Sequence, residues 1–292
     1  MKKLFQILAF LTLPCFLSAQ HFEVGALLGV SNYIGDLSNN SSSLYLKESK
    51  AAFGGFVKYN FNHLFAIRGG INYAKVAGRD ANVDNDDFVR MRNLSFNSSI
   101  LEFGLIGEVN LPGYQPYALS MPFSPYLFGG ISFINFNPRT RYEGNWVELQ
   151  PLGTEGQGMD GRGGKYSLNE IAIPFGIGVK YALSDKINLG IELGARYALT
   201  DYLDDVGGTY VSYPELFNGN GELAAALGNR TGELMENNEP VIVETGTQRG
   251  DLKDNDWFFI LGVTVSYNFL DNGLMGSRGR RKGKAGCKTG LF

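Results

Sequence analysis

Apolar and polar residues alternate along residues 187–199, INLGIELGARYAL. Every odd position is apolar, whereas small or polar residues, among them Glu192 and Arg196, occupy the even positions. A period of two predicts a β-strand. At about 3.3 Å per residue this strand would be roughly 43 Å long, well beyond the usual length of strands in soluble domains.

The same alternation recurs in seven other segments. They are residues 22–34, 53–61, 65–73, 101–111, 126–136, 171–183 and 259–269. In residues 22–34 and 126–136 the periodicity does not show which side chains lie on the apolar face of the strand and which lie on the polar face. Pro174 interrupts its segment and predicts a bulge or a shorter paired region there. The connections after the second and sixth segments are tight, the one after the fourth is moderate, and those after the odd-numbered segments are long and polar.

This layout predicts an all-β fold, an eight-stranded antiparallel transmembrane (outer-membrane) β-barrel with long extracellular loops and both termini in the periplasm. The apolar stripe then faces lipid, where a tilted strand needs about 9 to 11 residues. A soluble β-sandwich is the alternative, but the strand lengths and the alternating connection lengths argue against it. Two aromatic girdles are expected. They comprise Tyr59, Phe61, Phe65, Tyr181, Tyr267 and Phe269 on the periplasmic side and Tyr73, Tyr197 and Trp257 on the outer side.

The first residues, MKKLFQILAFLTLPCFLSAQ, have the pattern of a secretory signal peptide cleaved after Ala19. A lipoprotein signal using Cys15 is the alternative, but Pro14 is a poor match to the small residue required before that cysteine. The predicted organisation is a signal peptide (1–19), a barrel (20–270) and a basic periplasmic tail (271–292). After cleavage Cys287 is the only cysteine, so an internal disulfide is excluded.

The amino-acid composition adds little to the predicted fold class and function. The 292 residues include 39 glycines and 13% aromatic residues, as expected for antiparallel β-structure without a spanning helix. The net charge of −3 and the absence of a basic patch in the body argue against nucleic acid as a partner.

An eight-stranded barrel has an interior just wide enough for side chains to fill. Charged residues of both signs occupy the predicted inward positions, and because unpaired charges are costly there, we expect an ion-pair network that plugs the lumen. The predicted members are Lys58, Arg68, Glu102, Glu108, Lys180, Glu192 and Arg196.

Catalytic and metal-binding signals are weak. Only His21 and His63 could serve as a histidine base, and neither has an obvious neighbour, so the sequence predicts no enzyme, no cofactor and no small-molecule substrate. Two acidic clusters, DANVDNDD (80–87) and DYLDDVGG (201–208), could offer oxygen ligands to calcium. They lack the spacing of a known calcium loop, and solvated surface charge is the favoured interpretation.

Six phrases together resemble one family. They are SNYIGDL (31–37), RNLSF (92–96), SPYLFGG (124–130), LQPLGTEGQG (149–158), IPFGIGVKY (173–181) and TDYLDDVGGTYV (200–211). In this order they are similar to the PorG outer-membrane proteins of the type IX secretion system. The region 212–255 matches no motif.

The resemblance implies a barrel in outer-membrane lipid that works with periplasmic ring proteins of the PorK and PorN kind in cargo export. It implies no catalytic residues. A stand-alone surface barrel, acting as an adhesin or membrane stabiliser, is the alternative.

The C-terminal tail is basic and rich in glycine, which predicts a flexible segment. One interpretation is a solvated extension that attracts anionic lipid. The other is a docking element for an acidic groove on a periplasmic partner. The predicted contact residues are Arg278, Arg280, Arg281, Lys282 and Lys284.

Overall fold

The computed structural model describes residues 21–38, 48–83, 86–111, 122–184, 186–251 and 254–269. Its strands are β1 (His21–Ile34), β2 (Lys50–Asn60), β3 (Phe65–Arg79), β4 (Ser95–Asn110), β5 (Phe123–Tyr142), β6 (Asn145–Glu148), β7 (Asn169–Ala182), β8 (Ile187–Ala198) and β9 (Trp257–Phe269). The predicted signal peptide and basic tail lie outside the described residues.

Eight of these strands close into an antiparallel barrel. The order runs β4-β3-β2-β1-β9-β8-β7-β5, and β5 pairs back onto β4. The predicted eight-stranded barrel is therefore confirmed. The short β6 is an addition that the alternation did not predict, and it pairs with the far end of β5 to form a hairpin.

The alternation sorts side chains between the outer wall and the lumen. Large apolar side chains stand exposed outside, as in Leu28 (69%) and Ile191 (60%), whereas Lys58 and Arg196 are buried inside. A soluble sandwich would bury the apolar face instead, so this inverted arrangement excludes that alternative and is typical of a membrane-spanning barrel. Within the described residues, no helix has the length and apolar character needed to cross a membrane.

The two ends of the barrel differ. At the turn end, short connections follow β2 and β7, and both the start of β1 and the end of β9 lie there. Aromatic pairs line this end on the outside, with Tyr59 and Phe61 at 5.0 Å and Tyr267 and Phe269 at 5.1 Å between ring centroids. At the loop end, the rings of Tyr197 and Trp257 lie 4.9 Å apart.

Pro174 shortens one ladder, as predicted. Strands β5 and β7 pair Gly129 with Phe175 and Ser132 with Ala172, but the residues between these pairs are not paired. Because proline has no N–H to donate, the hydrogen-bond ladder between β5 and β7 is interrupted at this residue. On its other side Pro174 stays in register with Arg196 of β8.

The loop-end connections fold into a cap, defined here as the described parts of residues 35–49, 80–94, 143–168 and 199–256. The cap contains α1 (Asp87–Arg92), α2 (Tyr213–Asn220), α3 (Glu222–Gly228) and 3₁₀ turns at Asp80–Asn82 and Thr231–Leu234. The connections at this end are long, as predicted, but their described parts pack together instead of forming separate solvated loops. One hydrophobic cluster runs from the upper lumen into the cap, where Leu37, Leu149, Leu203 and Leu227 are buried.

Candidate functional site

The seven charged residues predicted for the lumen all lie inside the barrel, buried from solvent. They come from five strands: β2 (Lys58), β3 (Arg68), β4 (Glu102, Glu108), β7 (Lys180) and β8 (Glu192, Arg196). The structure brings five of them together near the turn end and places Glu102 and Arg196 as a separate pair closer to the loop end.

Glu108 is the centre of the turn-end group. Its carboxylate lies 2.6 Å from Nζ of Lys180, 3.1 Å from Nζ of Lys58 and 3.4 Å from Nε of Arg68. Arg68 also donates two hydrogen bonds to Glu192, at 2.6 and 3.1 Å. Five strands are tied together by these contacts, and the charges are paired rather than left alone in a low-dielectric interior.

Two members of this group come from the strands whose faces the sequence did not decide. Glu23 of β1 lies 3.5 Å from Nζ of Lys58 and accepts a hydrogen bond from Ser266. The Tyr126 hydroxyl of β5 donates to Glu192 at 2.8 Å. A Cβ atom at Gly178 would lie 2.3 Å from the Tyr126 ring, so only glycine at this position leaves room for the ring to cross the lumen.

The second pair lies one layer higher. Arg196 Nε is 3.4 Å from Glu102, which also accepts a hydrogen bond from Asn72 at 2.7 Å. With Glu23 included, four basic and four acidic side chains balance inside the barrel. They fill the lumen at these levels, and this part of the barrel is built as a plug.

Above these layers most of the inward side chains are apolar, with Ser31 and Ser98 among them. The buried apolar side chains there are Ile100, Ile134, Phe136, Phe258 and Ile260, all at most 1% exposed. The expectation of a polar plug therefore holds for only one half of the barrel. Inward positions near the loop end carry apolar side chains because they pack against the cap instead of water.

The first acidic cluster is partly buried, so its interpretation as solvated surface charge is wrong for Asp80. This carboxylate accepts hydrogen bonds from Nε and Nη2 of Arg92, each at 2.8 Å, and from the Leu94 backbone at 2.9 Å. Arg92 also donates to the backbone carbonyls of Asp36 and Arg249. Three cap loops meet at this arginine. Asp86 and Asp87, by contrast, are exposed at the start of α1.

The same correction applies to Asp204 and Asp205 in the second cluster. The Tyr33 hydroxyl oxygen lies 2.7 Å from Asp204 and 2.6 Å from Asp256. A phenol has one proton, so it donates to one carboxylate, and the other carboxyl must be protonated to donate to the phenol oxygen. Burial raises the pKa of Asp204 and Asp256 well above the ordinary value, and mutual repulsion raises that of Asp204 further.

Asp205 lies in a neighbouring buried network. It accepts hydrogen bonds from Thr154 at 2.5 Å and from Tyr166 at 2.6 Å, and burial raises its pKa to about 6. Arg249 donates to Glu155 at 2.8 Å. The Glu155 carboxylate also accepts from the backbone N–H groups of residues 207 and 208.

Two further acids of the cap have raised pKa values. Burial raises the pKa of Asp36 to about 6 and that of Asp201 to about 9. Repulsion from Asp36 is the next largest cause for Asp201. The cap thus concentrates carboxyl groups that favour protonation.

Four of the six family phrases meet in this cap. SNYIGDL supplies Tyr33 and Asp36, RNLSF supplies Arg92, LQPLGTEGQG supplies Thr154 and Glu155, and TDYLDDVGGTYV supplies Asp204 and Asp205. Sequence reasoning missed Arg249 and Asp256 as their partners, because a single charged residue in a long loop carries no local signal.

Among the described residues, no group of three or more His, Cys, Asp or Glu side chains has the geometry to hold a metal ion. His63 lies in the tight turn between β2 and β3. Its position gives it no role in the lumen or the cap.

Comparison with known proteins gives one family match. The family model described as "Domain of unknown function (DUF6089)" matches residues 2–223. No curated protein matches the chain.

Several solved structures are similar in fold. The N-terminal β-barrel domain of Pseudomonas aeruginosa OprF is 10% identical, with 85% of this chain and 97% of that chain covered and a TM-score of 0.36. A major outer membrane protein from Thermus thermophilus is 12% identical, covering 86% and 100%, with a TM-score of 0.39. Neisserial surface protein A is 12% identical, covering 86% and 98%, with a TM-score of 0.36. Likenesses of this size carry no argument about function.

Proposed function

The chain belongs to the DUF6089 family, and we propose that it is a non-enzymatic outer-membrane subunit of the type IX protein secretion apparatus. In this role it anchors or positions the periplasmic ring components that cargo export requires. The barrel works beside the export route and is not the route itself.

The observation that carries this proposal is the assembly of the PorG-like phrases in one place. Contacts in the cap join phrases across 52 to 171 residues: the Tyr33 hydroxyl lies next to Asp204, Arg92 donates to the Asp36 carbonyl, and Glu155 accepts from the backbone N–H of residue 207. A resemblance spread over unrelated surfaces would say little about function. Phrases that build one buried structure instead favour a shared architecture with the secretion barrel.

The filled lumen supports a subunit rather than a conduit. Glu108 and its three basic partners occupy the turn-end half, and apolar side chains under the cap occupy the other half. An exported chain has no path through this interior. The protein therefore acts through its surfaces and its ends.

The exposed apolar wall supports an outer-membrane location, and in the proposed topology the turn end and both termini face the periplasm. The basic tail then projects toward the periplasmic ring. Its proposed contact residues, Arg278, Arg280, Arg281, Lys282 and Lys284, lie outside the described residues. Flexible basic segments can order on an acidic surface when they bind.

A clean deletion strain tests the proposed function. We expect cargo with a type IX C-terminal signal to accumulate in the periplasm and to return to the medium when the gene is restored. Export at the wild-type level in a verified deletion would contradict the proposal and favour a stand-alone surface barrel.

The docking role of the tail has its own test. Ring proteins should co-purify with the full-length chain but not with a truncation after Asn272, nor with a variant that changes four basic residues to glutamate. Those four are Arg278, Arg280, Arg281 and Lys282. If equal amounts of ring proteins co-purified with all three proteins, the tail would not be the docking element, and the contact would instead involve the periplasmic turns.

A further inference from the structure

Three neighbouring strands extend beyond the apolar belt at the loop end. On the outer wall the apolar side chains of β3, β4 and β5 end at Tyr73, Leu101 and Phe133. Strand β3 continues to Arg79 and β5 to Tyr142, while β4 begins at Ser95. The barrel is therefore taller on this side.

The outward face of this extension is polar and basic, and we call it the basic wall. It consists of Lys75, Arg79, Asn97, Ser99, Asn135, Asn137, Arg139 and Arg141, with the small Ala77 between the two basic residues of β3. The register aligns Lys75 with Ser99, Arg79 with Ser95, and Asn97 with Arg139. Short hydroxyl and amide side chains of β4 thus separate the long basic side chains of β3 from those of β5.

The basic wall carries a surplus of positive charge. Arg139 is paired with Glu148 at 2.6 Å, and Arg141 stacks on the Trp146 ring at 5.1 Å. Among the described residues no carboxylate forms an ion pair with Lys75, Arg79 or Arg141. Three basic groups are therefore left to interact with something other than this part of the chain.

The opposite side of the rim has the reverse charge. There an open cleft of about 820 Å³ lies next to Trp257 and is bordered by Asp36, Asp86, Asp251 and Asp254. Arg92 and Arg249 also line it, but both are buried and paired, with Asp80 and Glu155 respectively. An anionic ligand approaching the barrel is repelled from this side and attracted to the basic wall.

We propose that the basic wall binds the phosphate groups of a phosphorylated lipid in the surrounding leaflet. The site lies directly above the apolar belt, at the level where lipid headgroups meet the protein, and Tyr73 and Trp146 flank it as interfacial aromatic residues. Arginine and lysine bind phosphate strongly, and the Ser99 hydroxyl between them, which accepts a hydrogen bond from Tyr73, keeps its own proton to donate. The inference rests on the membrane embedding included in the proposed function.

Lipid retention by the purified barrel tests this inference. The wild-type protein and a triple variant, Lys75→Ser, Arg79→Ser and Arg141→Ser, are placed in phosphatidylcholine nanodiscs that contain either lipid A or chemically dephosphorylated lipid A. Bound lipid is counted by native mass spectrometry, with inorganic phosphate added as a competitor in a parallel arm. A matched control changes three exposed basic residues elsewhere, Arg90, Lys165 and Lys186, to serine.

We expect the wild type and the control to retain lipid A over its dephosphorylated form. The triple variant should lose on the order of a hundredfold in apparent affinity, because each of its three basic groups contributes roughly a fivefold gain near a membrane surface. Equal retention of both lipids, or unchanged retention by the triple variant, would overturn the inference. Displacement by free phosphate alone would mean a phosphate-ion site and no lipid site.

The secretion assay and the lipid assay fail independently. Normal export in a deletion strain would remove the proposed secretion role and leave lipid retention unaffected. A protein that does not enter nanodiscs would overturn both, because the embedding itself would be wrong.

Discussion

The two halves of the barrel interior solve the same packing problem with different chemistry. Near the turn end, Glu108 binds three basic side chains at 2.6 to 3.4 Å. Near the loop end, Ile100, Ile134 and Phe136 pack under the cap with no exposed surface. The stability of the turn-end half depends on charge balance and the geometry of the ion pairs, whereas that of the loop-end half depends on how well side-chain volume fills the interior. The difference arises because only the second half has a folded cap to pack against.

The largest effect is expected from Glu108→Ala. This change leaves Lys180, Lys58 and Arg68 without their shared carboxylate, and breaking a buried ion pair costs about 3–5 kcal/mol in the free energy of unfolding. Urea unfolding in lipid vesicles, followed by tryptophan fluorescence, measures it.

A charge-balanced control sharpens that result. Combining Glu108→Gln with Lys180→Met removes one charge of each sign and should recover most of the lost stability. Both replacements nearly conserve side-chain volume, so a double variant as unstable as Glu108→Ala would show that restoring the charge balance is not sufficient and would contradict this expectation.

In the apolar half, Ile134→Ala should destabilise the barrel by about 2–5 kcal/mol, because the side chain is fully buried and its removal leaves a cavity. The same urea titration applies. Ile134→Val should cost only about 0.5–1.5 kcal/mol. Equal losses for the two variants would contradict a volume-dependent core.

The cap should lose stability as pH rises. Asp36 and Asp205 have pKa values of about 6 and Asp201 of about 9, all above the unfolded value of about 3.9. The folded cap therefore binds more protons than the unfolded chain, and the free energy of opening falls between about pH 4 and 9. Hydrogen exchange of the Leu203 and Leu227 amides, corrected for the intrinsic rate, measures it.

Asp256→Asn is the matched variant for that pH dependence. It removes one carboxyl from the pair around Tyr33 and keeps a hydrogen-bonding group of the same shape, so the cap should open with a weaker dependence on pH. Protection that rises with pH in the wild-type cap would contradict the raised pKa values.

The smallest effect is expected at the exposed pair of Asp87 and Arg90 on α1. Surface ion pairs contribute little, so Asp87→Asn should change the free energy of unfolding by less than about 0.5 kcal/mol. The Asp80–Arg92 pair a few residues away is buried, and Asp80→Asn should open the cap in hydrogen exchange. If Asp87→Asn and Asp80→Asn had similar effects on stability, the burial of an ion pair would not determine its contribution.

Strand number, the lipid-facing residues and the charged residues of the lumen could be predicted from the sequence. A strand places alternate side chains on opposite faces. In β8, therefore, Glu192 points into the lumen while Leu189 and Ile191 point outward. The gap in the β5–β7 ladder could also be predicted, because the missing N–H of Pro174 is a property of that residue alone. Period alone could not assign β1 and β5, where apolar residues occur on both faces, and it therefore missed Glu23 and Tyr126.

The tertiary structure alone decided the cap and the chemistry beneath it. Asp80 and Asp204 look like surface charge in the sequence, since a carboxylate in an acidic run is normally solvated. They are buried because Arg92 pairs with Asp80 from 12 residues further along the same connection, and because Tyr33, at the end of β1, reaches Asp204 across 171 residues. The sequence by itself determined the barrel, because strand alternation is local and repeats eight times. Contacts between distant loops leave no periodic trace, so only the folded chain could place the cap over an apolar half of the lumen and the basic wall above the membrane belt.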